Sequence, residues 1–136
     1  MTAPDDPDLL PAYPRALGVE LGDCTPERVT GSLLVTADHG NRNGVMHGGA
    51  IMAFADSLGG VASALLMTGD DKTTTLESKT NFLRPVAIGE RITARCEPIH
   101  SGRKTQVWKT TVFRQDGKPA AVTIQTQMTL SWQGPA

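Results

Sequence analysis

The chain of 136 residues has the length of one domain, and its net charge of −1 leaves no basic surface for nucleic-acid phosphates. Aromatic residues make up only 4% of it, so the core must come from aliphatic and small side chains. Cys24 and Cys96 are too few for a disulfide framework, and the acidic amino terminus lacks the apolar stretch of a signal peptide, which points to a reduced, cytoplasmic protein.

Residues 1–16 hold Pro4, Pro7, Pro11 and Pro14 among Asp5, Asp6 and Asp8. Proline breaks helix interiors, so this stretch reads as an N-terminal arm with room for one helical turn near residues 8–12. Residues 17–136 read as a single folded domain. Its first two strands, 17–24 and 28–36, flank a turn at Thr25-Pro26, and the second alternates with Val29, Gly31, Leu33 and Val35 on one side. Residues 37–46 form a polar loop. A helix is expected over 48–67, stopped by Thr68-Gly69-Asp70-Asp71. Four strands follow, at 73–84, 90–100, 105–114 and 120–132, with a hairpin turn at Asp116-Gly117. One helix among many strands predicts an α+β fold, with the helix covering one face of an antiparallel sheet.

The helix is the unusual element. Ile51, Phe54, Ala55, Leu58, Ala62, Leu65 and Leu66 form an apolar stripe, yet the opposite side carries only Asp56 as a charge. A surface helix would show several charges there, so burial on nearly all sides is expected. A membrane span is the rival reading, and a central Asp56, costing about 3 kcal/mol in lipid, argues against it. Gly59-Gly60 costs about 1 kcal/mol per residue relative to alanine, which suggests that another backbone approaches closely. Asp56 reads either as a carboxylate satisfied at a subunit contact or as a tuned general base or nucleophile. His47-Gly48-Gly49 at the helix start either makes a tight loop-to-helix junction or leaves backbone N–H groups for an oxyanion. Nine residues separate His47 from Asp56, about 13–14 Å along a helix, so the two cannot serve one carbonyl within a chain. Two antiparallel helices related by a twofold axis could bring them together.

The run Asn41-Arg42-Asn43-Gly44-Val45-Met46-His47-Gly48-Gly49, followed by Asp56, resembles the hotdog-fold acyl-CoA thioesterases of the PaaI-like, phenylacetate-pathway branch. Asn81-Phe82-Leu83-Arg84-Pro85 and then Gly89-Glu90 resemble the strand ending that this family carries after its helix. The likeness spans residues 41–132. It implies a sheet wrapped around one long helix, paired as dimers and often as dimers of dimers, with a site shared between chains. It also implies an acyl-CoA substrate, so that coenzyme A enters with the substrate and no separate cofactor is called for. By position, Gly48 would donate its N–H to the thioester carbonyl, Asn41 would polarise that carbonyl or hold water, and His47 would shape the loop. Asp56 of the partner chain would be general base or nucleophile. A hydroxyl on the next strand would orient the water; Thr75 is the nearest match, with Thr73 and Thr74 beside it. Arg84, Arg103 and Lys104 would lie near the phosphates of coenzyme A, although the last two also fit a solvated turn.

No Gly-x-Ser-x-Gly elbow, P-loop or Gly-x-Gly-x-x-Gly occurs, which removes the serine-hydrolase, nucleotide-triphosphatase and Rossmann routes. His39, His47 and His100 lack metal-ligand spacing, so no metal is expected. Cys24 and Cys96 read as small buried hydrophobes, and Trp108 and Trp132 as packing residues. The function expected is acyl-CoA hydrolysis; the rivals are a hotdog acyl-CoA hydratase or dehydratase and a non-catalytic acyl-CoA-binding protein.

Overall fold

The computed structural model describes residues 9–131. The first eight residues of the expected arm, with Pro4 and Pro7, and also Trp132 lie outside the described residues. The elements in order are α1 (Ala12–Leu17), β1 (Glu20–Thr25), β2 (Arg28–Leu34), a single 3-10 turn (Ala37–His39), α2 (Gly48–Ala64), β3 (Asp71–Phe82), β4 (Arg91–Ser101), β5 (Thr105–Phe113) and β6 (Pro119–Ser131). The strands form one antiparallel sheet in the order β1-β2-β4-β5-β6-β3, wrapped around α2. This is the expected α+β arrangement of a hotdog. Every expected strand is present to within a few residues. The helical turn, by contrast, is shifted: it begins at Ala12, because Pro11 suits the position before a helix while Gly18 ends it in a left-handed conformation at φ 99°. Leu9, Leu10 and Pro14 are buried, so this segment contributes to the core.

One side of α2 supplies Ile51, Phe54, Ala55, Leu58, Val61 and Ala62 to that core. Val29, Leu33, Ile92, Ala94 and Cys96 on β2 and β4 meet it, with Val112 on β5. The period-2 side of β2 read from the sequence is indeed the buried one. Toward β5 and β6 the packing turns polar. Thr110, Thr123, Gln125, Gln127 and Gln106 are all essentially inaccessible, and Ser63 of α2 donates to Gln106 Oε1 at 3.0 Å while accepting from Trp108 Nε1 at 2.7 Å.

Two expectations about α2 are corrected. It is half-exposed at Met52, Ala53, Asp56 and Gly60, so burial within one chain is not all-round. Within the chain, what comes close to the glycine pair is a side chain, at Gly59, rather than a strand backbone. A Cβ on Gly59 would stand 2.3 Å from the Gln125 amide, whereas one on Gly60 would meet only Gln127 Nε2, at 4.0 Å.

At the far edge of the sheet lies β3, hydrogen-bonded to β6 on one side only. A β-bulge between Thr75 and Glu77 interrupts its pairing and leaves Leu76 56% exposed. Bulges re-aim the side chains beside them, and the neighbour here is Thr75.

Candidate active site

Asp56 sits on the half-buried side of α2, facing β3 and β6. Its Oδ1 accepts two hydrogen bonds, from Thr75 Oγ1 at 2.7 Å and from Gln125 Nε2 at 3.1 Å. The Thr75 hydroxyl oxygen in turn accepts from Gln127 Nε2 at 2.9 Å, and Gln127 Oε1 accepts from Thr73 Oγ1 at 3.2 Å. The chain of donors therefore runs Thr73, Gln127, Thr75, Asp56. Thr75 is the member of the Thr73–Thr74–Thr75 trio that bonds the carboxylate, while Thr73 supports it one step removed. Gln125 and Gln127 are buried to 0% and 1% exposure and were missed in the sequence reading. Their signal was there: glutamines two apart on a strand share a face, here the face turned toward the small residues of α2.

The other candidate group forms at the start of α2. His47 caps the helix, its Nδ1 accepting from Gly49 N at 2.8 Å, and its carbonyl accepts from Ala50 and Ile51. Among the described residues, the Gly48 N–H has no such partner. It is a free donor at the positive end of the helix dipole. A Cβ on Gly48 would lie 3.2 Å from the Phe82 ring, so glycine lets that ring pack over the helix start.

The preceding loop is firmly tied. Asn41 Oδ1 accepts from the N–H groups of Asn43 and Val45 at 2.8 and 3.2 Å, and Gly44 turns the chain at φ 78°. The oxygen of Asn41 is thus committed to the loop, leaving its NH2 for any bound group. His39 Nδ1 accepts from Thr36 N, its Nε2 donates to Leu17 O, and its carbonyl holds His47 N at 2.7 Å. That histidine is structural.

Gly48 and Asp56 line different cavities. Asn41, Gly48, Ile51, Phe82 and Arg84 line one of about 330 Å³. Pro11, Tyr13, Asp56, Gly60, Met67 and Thr75 line the other, of about 640 Å³. The basic residues are divided likewise. Arg84 borders the Gly48 cavity and donates to Pro119 O at 2.8 Å. Arg103 and Lys104 are exposed in the β4–β5 turn, at the opposite end of β5, about 26 Å away along a nine-residue strand.

Burial drives the Cys96 thiol up to about 11, with the neighbouring Thr110 hydroxyl only partly opposing it, and burial also raises Cys24, helped by Asp23. Both thiols stay protonated, which unfits them as nucleophiles. Among the described residues no three His, Cys, Asp or Glu side chains converge to hold a metal, and no helix is long and apolar enough to cross a membrane.

A model of the thioesterase superfamily matches residues 43–121. The thioesterase PA1618 of Pseudomonas aeruginosa is 35% identical over 121 residues, 88% of this chain and 83% of that protein. The crystal structure of one of its mutants superposes with a TM-score of 0.82, covering 88% of this chain and 86% of that one. The 1,4-dihydroxy-2-naphthoyl-CoA hydrolase of Escherichia coli K12 is 37% identical over 75 residues, 55% of this chain and 54% of that enzyme. A mutant of the phenylacetic acid degradation protein PaaI from Thermus thermophilus is 28% identical with a TM-score of 0.80, covering 87% and 98% of the two chains. Sequence, fold and relatives agree: the chain belongs to the thioesterase superfamily and is a thioester hydrolase built on the hotdog fold.

Proposed function

We propose that the protein hydrolyses acyl-CoA thioesters to the free acid and coenzyme A, at a site completed by a second copy of the chain. The observation that carries this reading is the separation of an uncommitted Gly48 N–H from a doubly held Asp56 carboxylate in two cavities of one chain. Pairing two β3 edges antiparallel about their middles lays the Phe82 end of one chain over the Asp71 end of the other. Gly48, Asn41 and Arg84 of one copy then meet Asp56, Arg103 and Lys104 of its partner. Exposed Leu76 at the bulge supplies apolar contact along that seam.

In this arrangement the Gly48 amide and the Asn41 NH2 stabilise the oxyanion, and Asp56 either takes a proton from the attacking water or attacks first to give an anhydride that water opens. Coenzyme A arrives and leaves with the reaction, so no further cofactor is needed. Its phosphates fall to Arg84, Arg103 and Lys104. The E. coli relative named as a CoA-thioester hydrolase supports this substrate class, and the PaaI likeness supports the branch. Outward-facing Val122, Ile124 and Met128 of β6 offer a surface for joining dimers into a tetramer, and the unpaired buried cysteines fit a cytoplasmic location. The test is thiol release across a panel of acyl-CoAs, with Asp56→Asn as control. The expected result is free thiol from at least one member and a loss of about 10³-fold or more in kcat for the variant. A hydratase leaves the thioester intact and a binding protein gives no turnover; either result overturns the proposal.

A further inference from the structure

We infer that Gln125 is a positioning residue that fixes Asp56 by one oxygen, leaving Oδ2 as the oxygen that reacts. This rests on the reading of Asp56 given above and goes beyond it by assigning the atom and its holder. Both hydrogen bonds to the carboxylate, from Thr75 and Gln125, fall on Oδ1. Gln127 donates to the Thr75 oxygen, so the Thr75 hydrogen is directed at Asp56 and not back toward β6. Among the described residues, Oδ2 accepts no hydrogen bond, and it belongs to a side chain on the wall of the larger cavity.

Two local sacrifices accompany the Gln125 contact. Gln125 Oε1 is buried without a partner among the described residues, and an orphaned acceptor in the interior is unfavourable. Gly59 is needed because the Gln125 amide occupies the space of any Cβ there, at 2.3 Å. The orphaned carbonyl would vanish if position 125 were apolar. What the glutamine supplies in return is one N–H on Asp56. The amide cannot rotate to satisfy its oxygen without facing that oxygen to the carboxylate, so the orphan marks the orientation as set by Asp56.

Gln125→Leu removes the donor at similar volume. The expected result is a fall of about tenfold to a hundredfold in kcat, with KM for acyl-CoA nearly unchanged. That split is the signature of a misaligned carboxylate, since a general loss of structure would weaken substrate binding as well. Gly59→Ala provides a second route that deletes no polar atom: its methyl displaces the amide and should lower kcat in the same way, again with KM nearly unchanged. Gln125→Leu folded, with parent kcat, overturns the inference; if that variant does not fold, parent kcat in Gly59→Ala does so. The Asp56→Asn control separates the two readings. Substantial turnover in it removes the catalytic Asp56 itself, whereas an inactive Asp56→Asn beside a parent-like Gln125→Leu removes only the positioning role.

Discussion

The start and the middle of α2 treat their polar groups in opposite ways. At the start, the Gly49 N–H is taken by the His47 ring and those of Ala50 and Ile51 by the His47 carbonyl, while Gly48 has no partner for its donor among the described residues. In the middle, Asp56 is bound by two donors, one of them backed by a further glutamine. The difference matches the two chemical tasks proposed for these groups. An oxyanion donor must be unoccupied before the charge develops, because a donor already bonded would have to break that bond first. A base or nucleophile must instead be held still, since an aspartate rotating freely spends little time aligned.

The sharpest way to break this contrast is Gly48→Pro. Proline is tolerated at the first position of a helix, and His47 already has the extended backbone, at φ −64° and ψ 136°, that a following proline demands. The variant should therefore fold, with the exposed Phe82 ring yielding slightly, and lose about 10²–10³-fold in kcat. Mixing it with Asp56→Ala tests whether the two groups act across chains. Random pairing should restore about a quarter of the parent sites, since each mixed dimer regains one intact site. Recovery of none removes the shared site. A smaller effect belongs to the basic residues. Reversing Arg103 and Lys104 together should raise KM about tenfold for acyl-CoA and less for an acyl-pantetheine thioester; equal shifts would show that they do not meet the nucleotide.

The glycine pair sharpens the comparison within the helix. Gly60→Ala meets no close neighbour and should raise stability by about 1 kcal/mol through helix propensity, read as a higher Tm. A drop in Tm together with loss of the dimer would instead place Gly60 against the partner's helix. The smallest effect is expected remote from both groups, in the β5–β6 turn. There the Arg114 hydrogen bond, followed by the Lys118 backbone N–H, lowers Asp116 to about 2 from its ordinary 3.8. A depressed carboxylate stabilises above its unfolded value and loses that contribution as pH falls. The Tm gap between parent and Asp116→Asn should thus be present at neutral pH, narrow below pH 3.8 and close near pH 2.

Much of this was legible from residue order. The stripe of α2, the inward side of β2 and the loop running from Asn41 to Gly48 all follow from local periodicity and turn chemistry, which need no knowledge of distant partners. The amide clamp did not follow. In β6, alternation sets Val122, Ile124, Thr126 and Met128 against Thr123, Gln125 and Gln127, and hydrophobicity alone points the first set inward. The structure buries the second set, because α2 brings Asp56 and Ser63 to that part of the sheet and polar partners are needed there. Periodicity reports that two faces exist, but a third element decides which one is inside. The bulge at Leu76 was hidden for a similar reason, since it exists only in the pairing of β3 with β6.

The placement of β3 at the edge also has a consequence in time. Among the described residues its only strand partner is β6, the last of the six strands, so a growing chain presents β3 before either of its edges can pair. Similarly, β2 must wait for β4, with Gly31 pairing to Ala94 across α2 and β3. Such distant pairings slow folding. Through synthesis a twelve-residue strand holding Thr75 stands unpaired on both edges, the kind of surface that recruits chaperones or a neighbouring nascent chain. Two ribosomes on one message would bring two such strands side by side, so that the proposed pairing of two copies can begin before either chain is finished.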